Sequence, residues 1–228
     1  MSERFSRSER VLGKNAIEKL KNSSVIVFGI GGVGGAAVEA LARGGIGSIA
    51  VVDKDVVDVT NINRQIIATD ETVGLKKTDV AENRILSINP QAEVQKYDMF
   101  YLPENADDID LTRYDYIIDA IDNVTAKIEL ITRAEKCGVP IVSSMGTGNK
   151  VHPEMLKIAD IYKTSVCPLA RVMRRELKNR GVRKLTVVYS EEEPFKTDSS
   201  VPGSVSYTPP VAGYLLASVV LNKLSFDS

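Results

Sequence analysis

The sequence is poor in cysteine, in histidine and in long apolar runs, and it carries no excess of charge of either sign. Its 228 residues include two cysteines, Cys137 and Cys167, far apart and without a CxxC pair. That excludes a disulfide framework and a four-cysteine structural zinc site. The one histidine, His152, stands in Val151-His152-Pro153 with no obvious partner and reads as a loop residue. No apolar run approaches the roughly 20 residues needed to cross a bilayer. Val211 to Leu221 is apolar but short, and reads as a core helix. The first residues lack an apolar signal core, so a cytoplasmic location is expected. Lys and Arg number 29 against 30 Asp and Glu, a formal net charge of -1. Nucleic-acid binding would therefore need a local basic patch, because whole-molecule charge steers nothing.

What is present alternates between two periods. Ser8 to Asn22 has helical apolar spacing. Val25 to Phe28 is a continuous apolar run, as a buried parallel strand requires. A glycine-rich turn follows, then a helix from Ala36 to Arg43 and a strand from Ser48 to Val52. Lys77 to Ile88 reads as helix, stopped by Asn89-Pro90, and Glu93 to Tyr97 as strand. Tyr116 to Ala120, Val124 to Lys136 and Ile141 to Ser144 give strand, helix and strand. Leu156 to Ile161 and Leu185 to Tyr189 are further strands, and Glu191 to Pro209 a polar loop. The fold class is α/β: a Rossmann-like, mostly parallel sheet with helices on both faces, extended by a C-terminal α+β segment.

Gly29, Gly31 and Gly34 fit G-x-G-x-x-G after a strand and at the opening of a helix. The first glycine permits the tight turn, the second lets a phosphate approach the backbone, and the third lets helix pack on strand. Asp53, at the end of the next strand, stands where a carboxylate holds ribose hydroxyls. The turn alone leaves NAD, FAD and ATP open, as well as a nucleotide-binding regulatory module without catalysis. Gly32 adds a fourth glycine. Asp53-Lys54-Asp55, Asn61-Ile62-Asn63-Arg64-Gln65, Lys77 and Asp119-Ala120-Ile121-Asp122-Asn123 follow. An Arg and a Lys suit a triphosphate better than a dinucleotide, and an Asp beyond a strand end can hold Mg²⁺.

The run of GIGGVG, Asp53-Lys54-Asp55, Thr60 to Gln65, Val73-Gly74-Leu75-Lys76-Lys77 and Asp119 to Asn123 resembles the ThiF/MoeB-type members of the ubiquitin-activating-enzyme superfamily. These enzymes adenylate carboxylates. "EALARGGIGSIAVVDKDVVDVTNINRQIIA" and "ADIYKTSVCPLARVMRREL" look like the branch that dehydrates threonylcarbamoyladenosine in tRNA. The resemblance implies a single adenylating domain over residues 1–228, with a nucleotide-binding core over about 22–145 and a substrate-contacting segment over about 146–228. It implies that ATP is held by Gly29, Gly31, Gly32, Gly34, Asp53, Asp55, Asn61, Arg64, Gln65 and Lys77. Arg64, Lys77 and Asp122 would be catalytic, with Asp122 binding Mg²⁺. Arg7 aligns with an arginine that such relatives donate into the partner subunit's site, so a homodimer is implied, with a sulfur-relay protein as a possible further partner. An alternative within the family is activation of a sulfur-carrier protein, against which the missing CxxC pairs weigh; outside it stands an NAD-dependent dehydrogenase.

Cys137 reads as a buried packing thiol and Cys167 as inert, since the chemistry needs no protein nucleophile. From Lys163 to Lys184 there are eight basic residues and one acid, Glu176. If Pro168 to Asn179 is helical, Arg171, Arg174, Arg175 and Lys178 share one side, opposite Leu169, Val172, Met173 and Leu177. With the resemblance, that basic stripe is the expected tRNA contact.

Overall fold

The computed structural model describes residues 3–199 and 201–226. Two short helices, α1 (Ser6–Leu12) and α2 (Lys14–Lys21), meet at Gly13 and lead into β1 (Ser24–Phe28). Then come α3 (Gly32–Gly44), β2 (Ser48–Val52), α4 (Lys77–Ile88) and β3 (Glu93–Tyr97). β4 (Tyr116–Asp119), α5 (Val124–Cys137) and β5 (Ile141–Ser144) continue the alternation. The chain finishes with β6 (Leu156–Asp160), α6 (Pro168–Asn179), β7 (Thr186–Ser190) and α7 (Thr208–Phe226).

The seven strands form one sheet in the order β3-β2-β1-β4-β5-β7-β6. All neighbours pair in parallel except β6, which runs antiparallel to β7. β1, β2, β4, β5 and β7 are buried on both faces, as the continuous apolar run of β1 required of that strand. Parallel strands put the loops after β1, β2, β4, β5 and β7 on one edge, where ligands of open α/β sheets bind.

Two expectations need correction. The helix expected over Ser8 to Asn22 is two helices, because the chain turns at Gly13 with φ +88. The helix expected from Ala36 begins at Gly32; glycine's low helix propensity hid the first turn. The C-terminal α+β segment extends the fold as expected. β7 and β6 extend the same sheet, and α7 packs along α3 so closely that a side chain on Gly213 would overlap the Val33 carbonyl, and one on Gly44 would lie 2.6 Å from Leu221. The core lies on both faces of the sheet, with Ile30, Leu41, Ile49 and Leu216 on one and Phe28, Tyr101, Ile117 and Leu130 on the other. Among the described residues, no helix is long and apolar enough to cross a membrane.

Candidate nucleotide-binding site

The glycines divide by what surrounds them. Gly29 has φ +83, and a Cβ there would lie 2.7 Å from the Ala120 carbonyl oxygen. A Cβ on Gly34 would overlap the Gly29 carbonyl, so this glycine lets α3 sit against β1. Gly32 is crowded by Pro209 at 3.0 Å and by Arg64. Gly31 differs: a Cβ there would meet only the Gln65 amide, at 3.8 Å. The fold does not require a glycine at 31, and the open space beside its backbone suits the close approach of a phosphate. Gln65 is buried, and its Oε1 has no hydrogen-bond partner. An open backbone cradle beside an orphaned carboxamide fits a bound nucleotide.

Asp53 links the turn to the next loop. Its Oδ2 accepts from the Ile30 N–H at 2.7 Å and its Oδ1 from the Asp55 N–H at 2.9 Å. A carboxylate has about four acceptor positions, so capacity remains for ribose hydroxyls. Lys54 lies over the Phe100 ring at 4.3 Å. Asp55 accepts from Lys77 Nζ at 3.0 Å, which orients the lysine. The Lys77 side chain is 7% exposed, which rules out a solvated surface charge. Arg64 is half-buried and folds back on its own loop, donating to the Thr60 carbonyl at 2.8 Å and to Asn63 Oδ1 at 2.9 Å. Asn61 Oδ1 accepts from the Asp58 N–H at 3.1 Å, so this oxygen braces the loop. Thr60 bonds hold the Asp58 carboxyl below its usual range.

After β4, Asn123 caps α5 by accepting from the Ala126 N–H at 3.0 Å. That frees the exposed Asp122 carboxylate, which fits a Mg²⁺ ion held by one carboxylate and phosphate oxygens. Sequence reasoning missed the group beneath it. Lys127 and Asp119 are both fully buried and 2.9 Å apart. Ser143 Oγ donates to the same Asp119 oxygen at 2.6 Å, the Ile121 N–H donates to the other, and Lys127 also donates to the Ile121 carbonyl at 3.0 Å. This network fixes the loop that carries Asp122. Its signal was available: Lys127, Leu130, Ile131 and Ala134 form one stripe at helical spacing.

Elsewhere the outcome is mixed. On α6, Arg171, Arg175 and Lys178 are exposed, but Arg174 is half-buried and bonded to the carbonyl (3.0 Å) and hydroxyl of Thr164. Ala170, not the exposed Val172, completes the buried face. Arg175 shares Glu176 with Arg180. Cys137, expected to be buried, is exposed at the end of α5, whereas Cys167 is buried. His152 does have a partner, Glu154, at 2.8 Å. Arg7 is exposed on α1, which is anchored far from the glycine turn: Arg4 donates to the Ile88 carbonyl and the Phe5 ring rests on Gly45, at the opposite edge of the sheet.

A phosphate cradle at a parallel-sheet edge, backed by a buried lysine, an arginine and a free carboxylate, defines a nucleotide-binding α/β protein equipped for phosphoryl or adenylyl chemistry. The ThiF family model matches residues 5–226, and the chain belongs to the ThiF family. It is 41% identical over 245 residues to tRNA threonylcarbamoyladenosine dehydratase of Bacillus subtilis, covering 100% of this chain and 96% of that one. The structure is similar to that of the Escherichia coli tRNA N6-threonylcarbamoyladenosine dehydratase in complex with AMP, with TM-score 0.91, 36% identity and coverage of 97% and 94%. The same enzyme in complex with ATP gives TM-score 0.90 at 35% identity, covering 97% and 93%. A sulfur carrier protein adenylyltransferase of Thermus thermophilus is 37% identical over 131 residues, only 58% of this chain and 48% of its own length.

Proposed function

We propose that this protein uses ATP to dehydrate threonylcarbamoyladenosine in tRNA by way of an acyl-adenylate. The threonyl carboxylate is a poor electrophile. Attack of its oxygen on the α-phosphorus gives the mixed anhydride and pyrophosphate. A nucleophile in the same modified base then attacks the carbonyl carbon, expels AMP and closes a ring, with net loss of one water. Because the second attack is intramolecular, it has a large entropic advantage and needs no protein thiol. The buried Cys167 agrees with that.

The observation that carries this reading is the bonded chain from Ile30 through Asp53 and Asp55 to the buried amine of Lys77, within a protein that matches a named dehydratase from end to end. Gly29, Gly31, Gly32 and Gly34 would border the nucleotide and Asp53 take the ribose. Gln65 would meet it with its free oxygen. Lys77 and Arg64 would stabilise charge on the phosphates, and Asp122 would hold Mg²⁺, which neutralises the leaving pyrophosphate. Asn61 and Asp55 act through the side chains they brace. Arg171, Arg175 and Lys178 offer tRNA phosphates a salt-sensitive contact. The cytoplasm is the expected location.

A homodimer belongs to the same reading. Arg7 lies too far round the sheet to serve its own glycine turn, whereas a partner's α1 could bring it there. Val56, Val59, Ile62, Ile66, Val73 and Leu75 are exposed on the one segment that borders the site, a patch suited to such a partner. Sedimentation should give a dimer, and Arg7→Ala should slow AMP release without changing that mass.

The test is release of AMP and pyrophosphate with and without threonylcarbamoylated tRNA. Release that depends on this RNA supports the proposal. Release that responds only to a sulfur-carrier protein would replace it with the family alternative.

A further inference from the structure

Outside the nucleotide site, one side chain stands apart. Lys150 is 2% exposed, and its Nζ is buried without any hydrogen-bond partner. A buried amine without acceptors is costly, so its retention calls for a reason. It lies in the connection that follows β5, whose C-terminal end is on the same edge of the sheet as the glycine turn, two strands from β1. Its electrostatic neighbours are Cys167 and Glu192, and burial lowers its pKa despite them. The Glu192 carboxylate is already engaged by the N–H groups of Val151 and His152, at 2.9 and 3.0 Å.

Cys167 is the N-cap of the 12-residue helix α6, and no side chain caps this end. The helix start also lies on the ligand edge, since a Cβ on Gly146 would lie 3.9 Å from Leu169. The approach to it is strained: Val166, a β-branched residue, has φ +57. Such conformations are unfavourable and cluster at functional sites. The start of α6, without a side-chain cap, and the unpaired amine are neighbours through Cys167, and both favour an anion.

The cover over this spot is the segment after β7. Asn149 exchanges two bonds with Gly203, its N–H to the Gly203 carbonyl at 2.8 Å and its Oδ1 accepting from the Gly203 N–H at 2.6 Å. Its carbonyl accepts from the Phe195 N–H at 2.8 Å. Phe195 and Val201 on this strap are exposed to solvent.

We propose that Lys150 and the N-terminus of α6 form a second anion subsite, which receives an oxyanion of the RNA substrate, its acyl carboxylate or an adjacent phosphodiester, when the strap of residues 193–199 and 201–203 lifts. The identity of the anion's carrier rests on the dehydratase reading; the existence of the subsite does not. Lys150 is then a substrate-positioning residue, and the stability it forfeits in the free protein is returned when the anion binds.

The test compares wild-type protein with Lys150→Met, a near-isosteric change. With AMP saturating the glycine turn, inorganic phosphate or acetate should raise the Tm of wild type and not of the variant. A response to phosphate alone assigns the phosphodiester, and a response to acetate alone the carboxylate. The variant's own Tm should equal or exceed that of wild type, because an unpaired buried charge is gone. With threonylcarbamoylated tRNA, kcat/KM for AMP release should fall about tenfold, mostly through KM, while ATP affinity stays within about twofold. A variant that loses Tm together with activity would make Lys150 merely structural, and one with unchanged KM or an unchanged anion response would remove the subsite. If wild type releases no AMP with this RNA, the dehydratase reading fails, and the anion response still decides the subsite.

Discussion

The two halves of the sheet present the same edge to a ligand but treat their buried charges differently. In the β3-β2-β1-β4 half each buried charge has a partner. Lys77 is held by Asp55, and Asp119 by Lys127 and Ser143. In the β5-β7-β6 half, Lys150 has none. The paired half is assembled before a ligand arrives, which is what electrostatic preorganisation requires. The outer half keeps an unmet demand, which is what recognition of a charged substrate requires. Rigidity for chemistry and unfinished pairing for binding thus lie side by side on one edge.

That contrast can be broken at several points. The largest effect on stability is expected at Lys127→Ala, which leaves Asp119 buried and unpaired and should cost about 3–5 kcal/mol in denaturant unfolding. Arg64→Ala should cost on the order of 3 kcal/mol in AMP release, roughly two orders of magnitude in kcat, with little change in Tm because its present bonds are local. The glycines separate fold from ligand. Gly34→Ala should destabilise by about 1–3 kcal/mol through overlap with Gly29, whereas Gly31→Ala should keep its Tm and weaken ATP binding.

The outer half has its own signature in pH. Burial puts the pKa of Lys150 below its ordinary 10.5. Between the two values the unfolded chain holds a proton that the native protein does not. Stability should therefore rise with pH across that window, and Lys150→Met should flatten the rise. Cys167 and Glu192 face the same amine, so Glu192→Gln should move the window further down. The smallest effect is expected at Arg175→Ala, a severalfold weaker tRNA affinity with the salt slope reduced by about one. A loss that ignores salt would take α6 out of the RNA contact.

The inner half was legible in the sequence and the outer half much less so. Strand, glycine turn and helix follow from local pattern, and Asp53 from its place after β2. Lys77 and Arg64 could be named only as part of a constellation, and their burial and bonds needed the fold. Lys127 was not singled out, although its spacing with Leu130 and Ala134 marked it. Arg174 was placed on the free face because periodicity does not see Thr164, which lies ten residues away and takes its guanidinium. Lys150 sits in a loop without any period, and only tertiary packing strands its amine.

The most direct measurement is of the RNA itself: nucleoside analysis of threonylcarbamoylated tRNA after incubation with the protein and ATP. The account predicts loss of one water from the modified adenosine, with one AMP released for each. RNA recovered unchanged while ATP is cleaved, or no ATP cleavage at all, would contradict it.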